Sequence, residues 1–379
     1  MKMWILREIR QRGGVVGFHD FMELALYHSE HGYYASKKYP WGRDGDYLTA
    51  PTASGWYGAT WAGFLTDLAA RAGARCRLFD LAAGDGSFVA SVLDGLGERA
   101  VDVLAGVTAV ERSTALRARA GARLADAAVG VEITAIVEAR SADPAVIHAS
   151  ELYDAMPVHR VEQTPEGLME LVVAVEAGGL EWRRRAADPE LIRYFDEHGV
   201  QLADGQIAEV NPAAEQFHRE MLEEAGEGIV LVLDYGYDAA SLYNPRGRRH
   251  GSLVSYRRHR VGRDLLDSPG EQDLTAHVNW DDLRRAAADC LWEEIALMPL
   301  AEFLAHRLDL SRTRARARLD ARCVFVNQRR VWMAKHPLKA GDRVEVRAQP
   351  EQKRPSAVPL LLRAAESPCA RRAARGLLA

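Results

Sequence analysis

Cysteine is nearly absent: Cys76, Cys290, Cys323 and Cys369 are the only four in 379 residues, and their spacing pairs none of them. A disulfide scaffold and a cysteine-built metal site are thereby excluded, and a reduced, cytoplasmic chain is expected. Long hydrophobic runs are missing too. No apolar stretch approaches the ~20 residues that cross a bilayer, and residues 1–12 carry no apolar segment followed by a small-residue cleavage site. A membrane-embedded or secreted protein is therefore not expected. Lysine supplies only Lys2, Lys37, Lys38, Lys335, Lys339 and Lys353 of the 49 basic residues, a compositional bias from which no function follows. What is present is ordinary for a soluble enzyme: 48% hydrophobic and 27% charged residues, in a chain long enough for two or three domains.

The net charge of −4 hides an asymmetry. Residues 301–379 hold 18 Lys and Arg against 7 Asp and Glu, a net +11, which leaves 31 basic and 46 acidic side chains, a net −15, for residues 1–300. Two parts of the chain thus face different partners. The first fifty residues read as short helices, with Phe18, Phe21, Met22, Leu24 and Ala25 on one stripe, followed by a Gly- and Asp-rich loop. From about residue 68, β-like runs alternate with helical ones: 77–81 and a helix from Ser87, 107–110 and a helix from Ser113, then 131–136 and 146–150. This alternation predicts an α/β fold, a parallel sheet covered by helices. An insertion of hairpin and helical character, about 158–226, precedes the apolar strand 228–234. Such an insertion is where an α/β enzyme commonly builds its substrate side. After Leu300 come an arginine-studded helix, 311–319, and short strands around 324–327 and 343–347. The last thirty residues, with Pro350, Pro355, Pro359 and Pro368, read as a loosely docked tail. The expected division is 1–72 for an N-terminal helical lid, 73–299 for a cofactor-binding domain carrying the insertion, 300–348 for a small basic module and 349–379 for the tail.

The segment Phe79-Asp80-Leu81-Ala82-Ala83-Gly84-Asp85-Gly86-Ser87 joins an apolar strand to a helix through a tight turn, where missing side chains let backbone approach a ligand. A dinucleotide fingerprint requires a third glycine, and Val89 stands in its place, so a nicotinamide cofactor is disfavoured. Asp80 precedes the turn, and Glu111 ends the next strand, where its carboxylate can accept two hydrogen bonds from ribose hydroxyls.

Further motifs follow in order: Asp20-Phe21-Met22-Glu23-Leu24-Ala25-Leu26-Tyr27, His31-Gly32-Tyr33-Tyr34, Gly42-Arg43-Asp44-Gly45-Asp46-Tyr47-Leu48-Thr49-Ala50-Pro51, Glu151-Leu152-Tyr153-Asp154-Ala155-Met156-Pro157-Val158-His159, Asp234-Tyr235-Gly236-Tyr237 and Pro269-Gly270-Glu271-Gln272-Asp273-Leu274-Thr275-Ala276-His277-Val278. Together with the turn they resemble the MidA-like family of class I S-adenosylmethionine methyltransferases over residues 5–290. The resemblance implies a Rossmann-like class I methyltransferase sheet with an N-terminal helical lid, a substrate insertion and a small α+β C-terminal module. It implies S-adenosyl-L-methionine as cofactor. It also implies N-methylation of arginine in a protein or peptide, since the family includes a mitochondrial complex I assembly factor acting as a protein arginine methyltransferase. Three positions depart from the family pattern: Ala82 and Ser150 replace a Gly and an Asn, and Thr52 an acidic residue.

The expected cofactor residues are Asp80, Ala82, Gly84, Gly86 and Glu111, with Arg43, Asp46 and Thr49 from the lid. Methyl transfer is an in-line displacement, so positioning and exclusion of water are the enzyme's tasks. An arginine acceptor carries a delocalised charge that acids must clamp and deprotonate. Glu151 and Asp154, at the carboxyl end of strand 146–150, suit that need, although a turn-capping Asp154 and a solvated Glu151 account for the same letters. His159 is a candidate base. Tyr33, Tyr34, Glu209, Asp234, Tyr235 and His277 are candidate acceptor contacts, each equally readable as a turn, cap or core residue. His28 and His31 lack a third ligand, so no metal is expected.

Residues 300–346 resemble the RNA-binding module named after ribosomal small-subunit protein four, through the Ser311-Arg312 helix start, Val326-Asn327 and the Gly341-Asp342 turn. Arg312 and Arg316 share one helix face, as do Arg314 and Arg318, and such stripes can neutralise phosphates. A solvated face paired with the acidic body is the plainer reading. RNA methylation guided by this module, tailoring of a small molecule or modified peptide, and a non-catalytic assembly role stand as alternatives to arginine methylation. A homodimer is a further expectation.

Overall fold

The computed structural model describes residues 3–35, 45–46, 55–138, 140–177, 179–226, 228–298, 324–326, 329–331, 344–346 and 358–364. Arg43, Thr49, Arg312, Arg314, Arg316 and Arg318 lie outside the described residues.

The chain begins with α1 (Met3–Gln11), β1 (Val15–Gly17) and α2 (Phe18–Tyr27). The apolar stripe of α2 is buried against Trp4, Ile5 and Ile9 of α1. Burying a Phe or Leu side chain contributes about 1.5–3 kcal/mol, so this stripe secures the N-terminal unit. Helix α3 (Gly55–Ala72) follows and precedes β2 (Cys76–Leu81), α4 (Ser87–Leu96), β3 (Leu104–Val110), α5 (Thr114–Arg123), β4 (Val131–Thr134) and β5 (Ala145–Ser150). Trp61, Phe64, Leu65 and Leu68 of α3 pack with Phe88, Val89 and Val92 of α4 on the sheet. Residues 55–72, placed in a lid by the sequence reading, thus belong to the sheet's own helical layer.

The insertion supplies β6 (His159–Thr164), β7 (Gly167–Glu176), β8 (Gly179–Ala186), α6 (Pro189–Glu197) and β9 (Ile207–Val210). These strands form a separate antiparallel sheet that β1 joins beside β7. Helix α7 (Pro212–Ala225), the last part of the insertion, instead packs Met221 and Leu222 on the parallel sheet. Then come β10 (Gly228–Asp234), the short β11 (Gly236–Tyr237), β12 (Val254–Arg257), β13 (Arg260–Gly262), β14 (Asp273–Thr275), β15 (Val278–Asn279), α8 (Trp280–Asp289) and β16 (Trp292–Leu297). The short strands β17 (Val324–Val326), β18 (Arg329–Val331) and β19 (Val344–Val346) pair with one another, and β20 (Val358–Ala364) ends the described chain.

The main sheet runs β16-β20-β10-β5-β2-β3-β4. Its central strands are buried on both faces by period-two alternation. Leu78, Val107, Val146 and Leu231 meet α3 and α4, whereas Phe79, Ile147, Val230 and Val232 meet α7 and α8. All pairs are parallel except those of β20, which runs antiparallel to both β10 and β16. This corrects two expectations. Residues 358–364 are an interior strand, not a loose tail, and the basic segment is inserted between β16 and β20 rather than appended. Strand order reverses between β2 and β5, and in open α/β sheets ligands bind in the crevice beyond the carboxyl ends at such a point.

Candidate active site

A cavity of about 360 Å³ lies there, lined by residues from the turn after β2, the ends of β3 and β5, and α2 and its following residues. The turn carries three left-handed residues, Ala82, Gly84 and Gly86, with φ of 54°, 58° and 76°. Gly84 and Ala82 face the cavity. Gly86 does not: a Cβ there would meet Leu124 Cδ1 at 2.9 Å and Ala120 Cβ at 3.3 Å. Its missing side chain therefore lets α4 start close against α5, which corrects its assignment to the cofactor.

Glu111 lines the cavity and ties it to the turn, its Oε2 accepting Gly84 N–H at 2.9 Å and its Oε1 accepting Ser113 N–H at 2.7 Å. Burial pushes its carboxyl up against these two bonds. A carboxylate offers about four lone-pair sites, so each oxygen can still accept a hydroxyl. Asp80, also on the wall, is only 2% exposed. Its Oδ1 bonds His148 Nδ1 at 2.8 Å, and its Oδ2 has no partner. Burial raises the Asp80 carboxyl, and the His148 bond opposes that rise.

Glu151 follows β5 with φ of 52°, its N–H held by the Leu233 carbonyl at 2.8 Å and its residue on the cavity wall. A non-glycine residue in that region costs on the order of 1 kcal/mol or more, and such strain is concentrated at functional sites. Behind it lies a buried acidic cluster. Asp234 accepts the N–H groups of Tyr153 and Tyr235 at 2.9 and 2.8 Å, and Asp273 accepts the Tyr34 hydroxyl at 2.9 Å and Leu274 N–H at 3.1 Å. Burial raises the carboxyls of Asp234 and Asp273 to about 7. Asp154 is pushed well above its ordinary value by burial, then by Asp234, Glu151 and Asp273. Tyr34 links this cluster to the cavity, which it lines together with Tyr27, and the two rings stack at 5.4 Å.

Several expected site residues are not on this cavity. His159 lies in the antiparallel sheet, bonded to Glu170 Oε1 at 3.1 Å and stacked on His19, so it is no base for this cavity. Glu209 is buried in the same sheet, accepting Ser252 N–H at 2.6 Å and Arg160 Nε–H at 3.3 Å. Tyr33 donates to Asp46, which also accepts Arg258 N–H at 2.7 Å. Asp46 thus ties its loop to the β12–β13 hairpin rather than reaching the cavity. His277 borders a separate 20 Å³ void, with its ring pushed down to about 4 by burial and then by Arg248. Tyr235 serves the acidic cluster through its backbone N–H, and its carbonyl accepts Val278 N–H.

The structure adds residues that the sequence reading missed: Tyr27, Phe88, Arg112, His148 and Phe217 on the wall. Arg112 pairs with Glu23 and sits 4.5 Å over the Tyr27 ring. His148 had a readable signal, since β2 and β5 are adjacent and Asp80 and His148 are register partners. Among the described residues no group of three or more His, Cys, Asp or Glu can hold a metal ion, and no helix is long and apolar enough to cross a membrane.

A parallel sheet of this order, with a glycine turn after its first strand and an acid closing the second, defines a class I methyltransferase. The family model of S-adenosyl-L-methionine-dependent methyltransferases matches residues 59–295, and the chain belongs to that family. Curated relatives include the mitochondrial protein arginine methyltransferase NDUFAF7 of Danio rerio, 26% identical over 167 residues, covering 41% of this chain and 34% of the relative. That of Bos taurus is 25% identical over 304 residues, covering 72% of this chain and 65% of the relative. The matches therefore span from a third to just under two thirds of these relatives' length. A Burkholderia thailandensis protein in its crystal structure bound to S-adenosyl-homocysteine superposes with a TM-score of 0.76 at 25% identity, covering 98% of this chain and 94% of that one. A native structure from the same superfamily and organism gives 0.74 at 24%, covering 97% and 92%.

The cavity fits the family's donor on three counts. Its volume lies within the ~300–1,000 Å³ range of small-molecule sites. Among the described residues that line it, Asp80 and Glu111 face Arg112, itself paired with Glu23, so acids outnumber bases and a ligand carrying positive charge is favoured. Apolar walls from Val110, Val137, Met156 and Phe217 suit a flat heterocycle.

Proposed function

We propose that this methyltransferase acts on the guanidinium of an arginine in a protein or peptide. The observation that carries the reading is Glu151 on the cavity wall, backed by Asp154, Asp234 and Asp273. Burial and the charges of Asp234, Glu151 and Asp273 all raise the Asp154 carboxyl, and a cation entering beside Glu151 opposes that rise. The relatives described as protein arginine methyltransferases support the same choice.

When bound, S-adenosyl-L-methionine supplies an electrophilic methyl group on a sulfonium. The chain's own residues do the rest. Asp80 and Glu111 would hold the donor's cationic and ribose ends, with Ala82 and Gly84 letting backbone approach. Tyr27, Tyr34 and Phe217 shut out water. Glu151 would clamp the guanidinium and take the proton that its nitrogen gives up when the methyl–sulfur bond of the donor is exchanged for a methyl–nitrogen bond and the thioether product leaves. Asp154 lies behind it, its own carboxyl raised by burial and then by the charges of Asp234, Glu151 and Asp273.

The test is incubation with methyl-labelled donor and an arginine-containing proteome, followed by acid hydrolysis. Label recovered as methylarginine supports the proposal, and label lost to ribonuclease overturns it. That second outcome belongs to the RNA reading, which the +11 charge of residues 301–379 favours.

A further inference from the structure

Behind Asp80, at the donor end of the cavity, stands a hydrogen-bonded pair that the proposed transfer does not use. His148, 1% exposed, bridges Asp80 and Tyr57: Nδ1 bonds Asp80 Oδ1 at 2.8 Å, and Nε2 bonds the Tyr57 hydroxyl at 3.1 Å. Phe88 stacks on the imidazole at 3.7 Å with an 18° tilt, and Trp61 meets it edge-on at 4.6 Å. The ring is thus fixed in plane and in rotation. With a carboxylate at Nδ1, that nitrogen carries a hydrogen, and in the tautomer that carries only this one Nε2 accepts from Tyr57. Every link points one way, from α3 through β5 to β2, and ends on a carboxylate whose second oxygen is buried without a partner. An unpaired buried carboxylate oxygen is costly and persists where a ligand completes it.

We propose that Tyr57 and His148 are positioning residues that hold Asp80 for a cationic group on the amino-acid end of the donor. The proposal rests on the reading of this cavity as the donor site. It goes further by assigning to two residues, neither of which belongs to the glycine turn, control over one end of the ligand and not the other. The adenosine end has its own acid, Glu111, on the neighbouring strand.

The experiment uses the full chain and calorimetry with two probes. S-adenosylhomocysteine carries the amino-acid end, and 5′-methylthioadenosine lacks it. His148→Leu should weaken S-adenosylhomocysteine about 10- to 100-fold, as expected for loss of a hydrogen bond to a charged group. Tyr57→Phe should weaken it about 3-fold, and His148→Asn, which keeps a donor toward Asp80, should fall between. Binding of 5′-methylthioadenosine should be unchanged in all three, which also reports that they are folded. The ratio of the two affinities supplies a pH signature. Asp80 bonds His148 and acts on Tyr57 and Glu111, Glu151 lines the same cavity, and burial raises the Asp80 carboxyl while His148 lowers it. The ratio should therefore collapse on acidification at a higher pH in His148→Leu than in the wild type. Equal weakening of both probes, or none, overturns the positioning role. Wild-type protein that binds neither probe overturns the donor-site reading itself. If His148→Leu does not fold, Tyr57→Phe and His148→Asn carry the same comparison.

Discussion

The two sheets bury acids of the same kind to opposite ends. In the antiparallel sheet Glu170 bonds Arg185 at 2.7 Å and His159 at 3.1 Å, and Glu209 bonds Arg160 at 3.3 Å. At the carboxyl edge of the parallel sheet no arginine or lysine, among the described residues, pairs with Asp80, Asp154, Asp234 or Asp273. They rely on backbone N–H groups, tyrosines and one histidine. The consequence shows in their protonation. Although burial raises it, bonds from His159 and Arg185 bring Glu170 below its ordinary value, whereas Asp234 and Asp273 rise to about 7. An acid whose cation comes from the chain is scaffold. An acid left without one is available to a ligand.

The contrast breaks most visibly at Glu151. Glu151→Gln should lower methyl transfer about 10²- to 10³-fold, the scale of losing one preorganised electrostatic partner. Its affinity for S-adenosylhomocysteine should stay within about twofold. Full activity in this variant would return Glu151 to the scaffold class.

Glu209→Ala tests the other sheet. It strips Arg160 and Ser252 of a buried partner and should cost about 3 kcal/mol in urea unfolding. S-adenosylhomocysteine affinity, measured under native conditions, should be unaffected. A selective loss of ligand binding would place Glu209 back in the site.

A smaller effect sharpens the protonation difference. Asp273 has a folded-state value raised above its ordinary 3.8, so its neutral form contributes stability that is complete below that value and lost as pH rises through about 7. Asp273→Asn has no proton to lose there. Relative to wild type it should gain on the order of 2 kcal/mol between pH 4 and 8 in urea titrations. A constant difference across that range would contradict the burial argument.

The smallest effect is at the turn. Ala82→Gly relieves a left-handed alanine and should raise stability by up to about 1 kcal/mol, read as a thermal shift, with donor affinity equal or better. A weaker donor complex would mean that the methyl group at Ala82 makes a useful contact.

Much of the fold was legible because burial on both faces writes continuous apolar runs, as in Gly228–Asp234, and because the glycine turn sits between a strand and a helix by local rules alone. The strand 358–364 was not. Pro355 and Pro359 read as breakers, yet Pro359 pairs only with Leu233 on the β10 side, and β16 meets the strand from Leu360 onward. A proline lacking its N–H is tolerated where one neighbour is absent. The site was half legible. Asp80, Glu111 and Glu151 follow from their positions at strand ends. Residue type alone, however, does not separate Glu209 or His159 from them, because partners such as Arg160 and Glu170 come from other strands. His148 hid inside an apolar run, visible only once β2 and β5 were put in register.

The position of β20 has a consequence for how the chain can be cut and made. The sheet's penultimate seam, between β10 and β16, is closed by the last described segment, so a ribosome must release β20 before the edge of β10 is covered. Until then an apolar strand edge stays open to mispairing. A truncation near residue 300 would leave it so permanently. A deletion that joins β16 to β20 by a short bridge is the cut that respects the architecture.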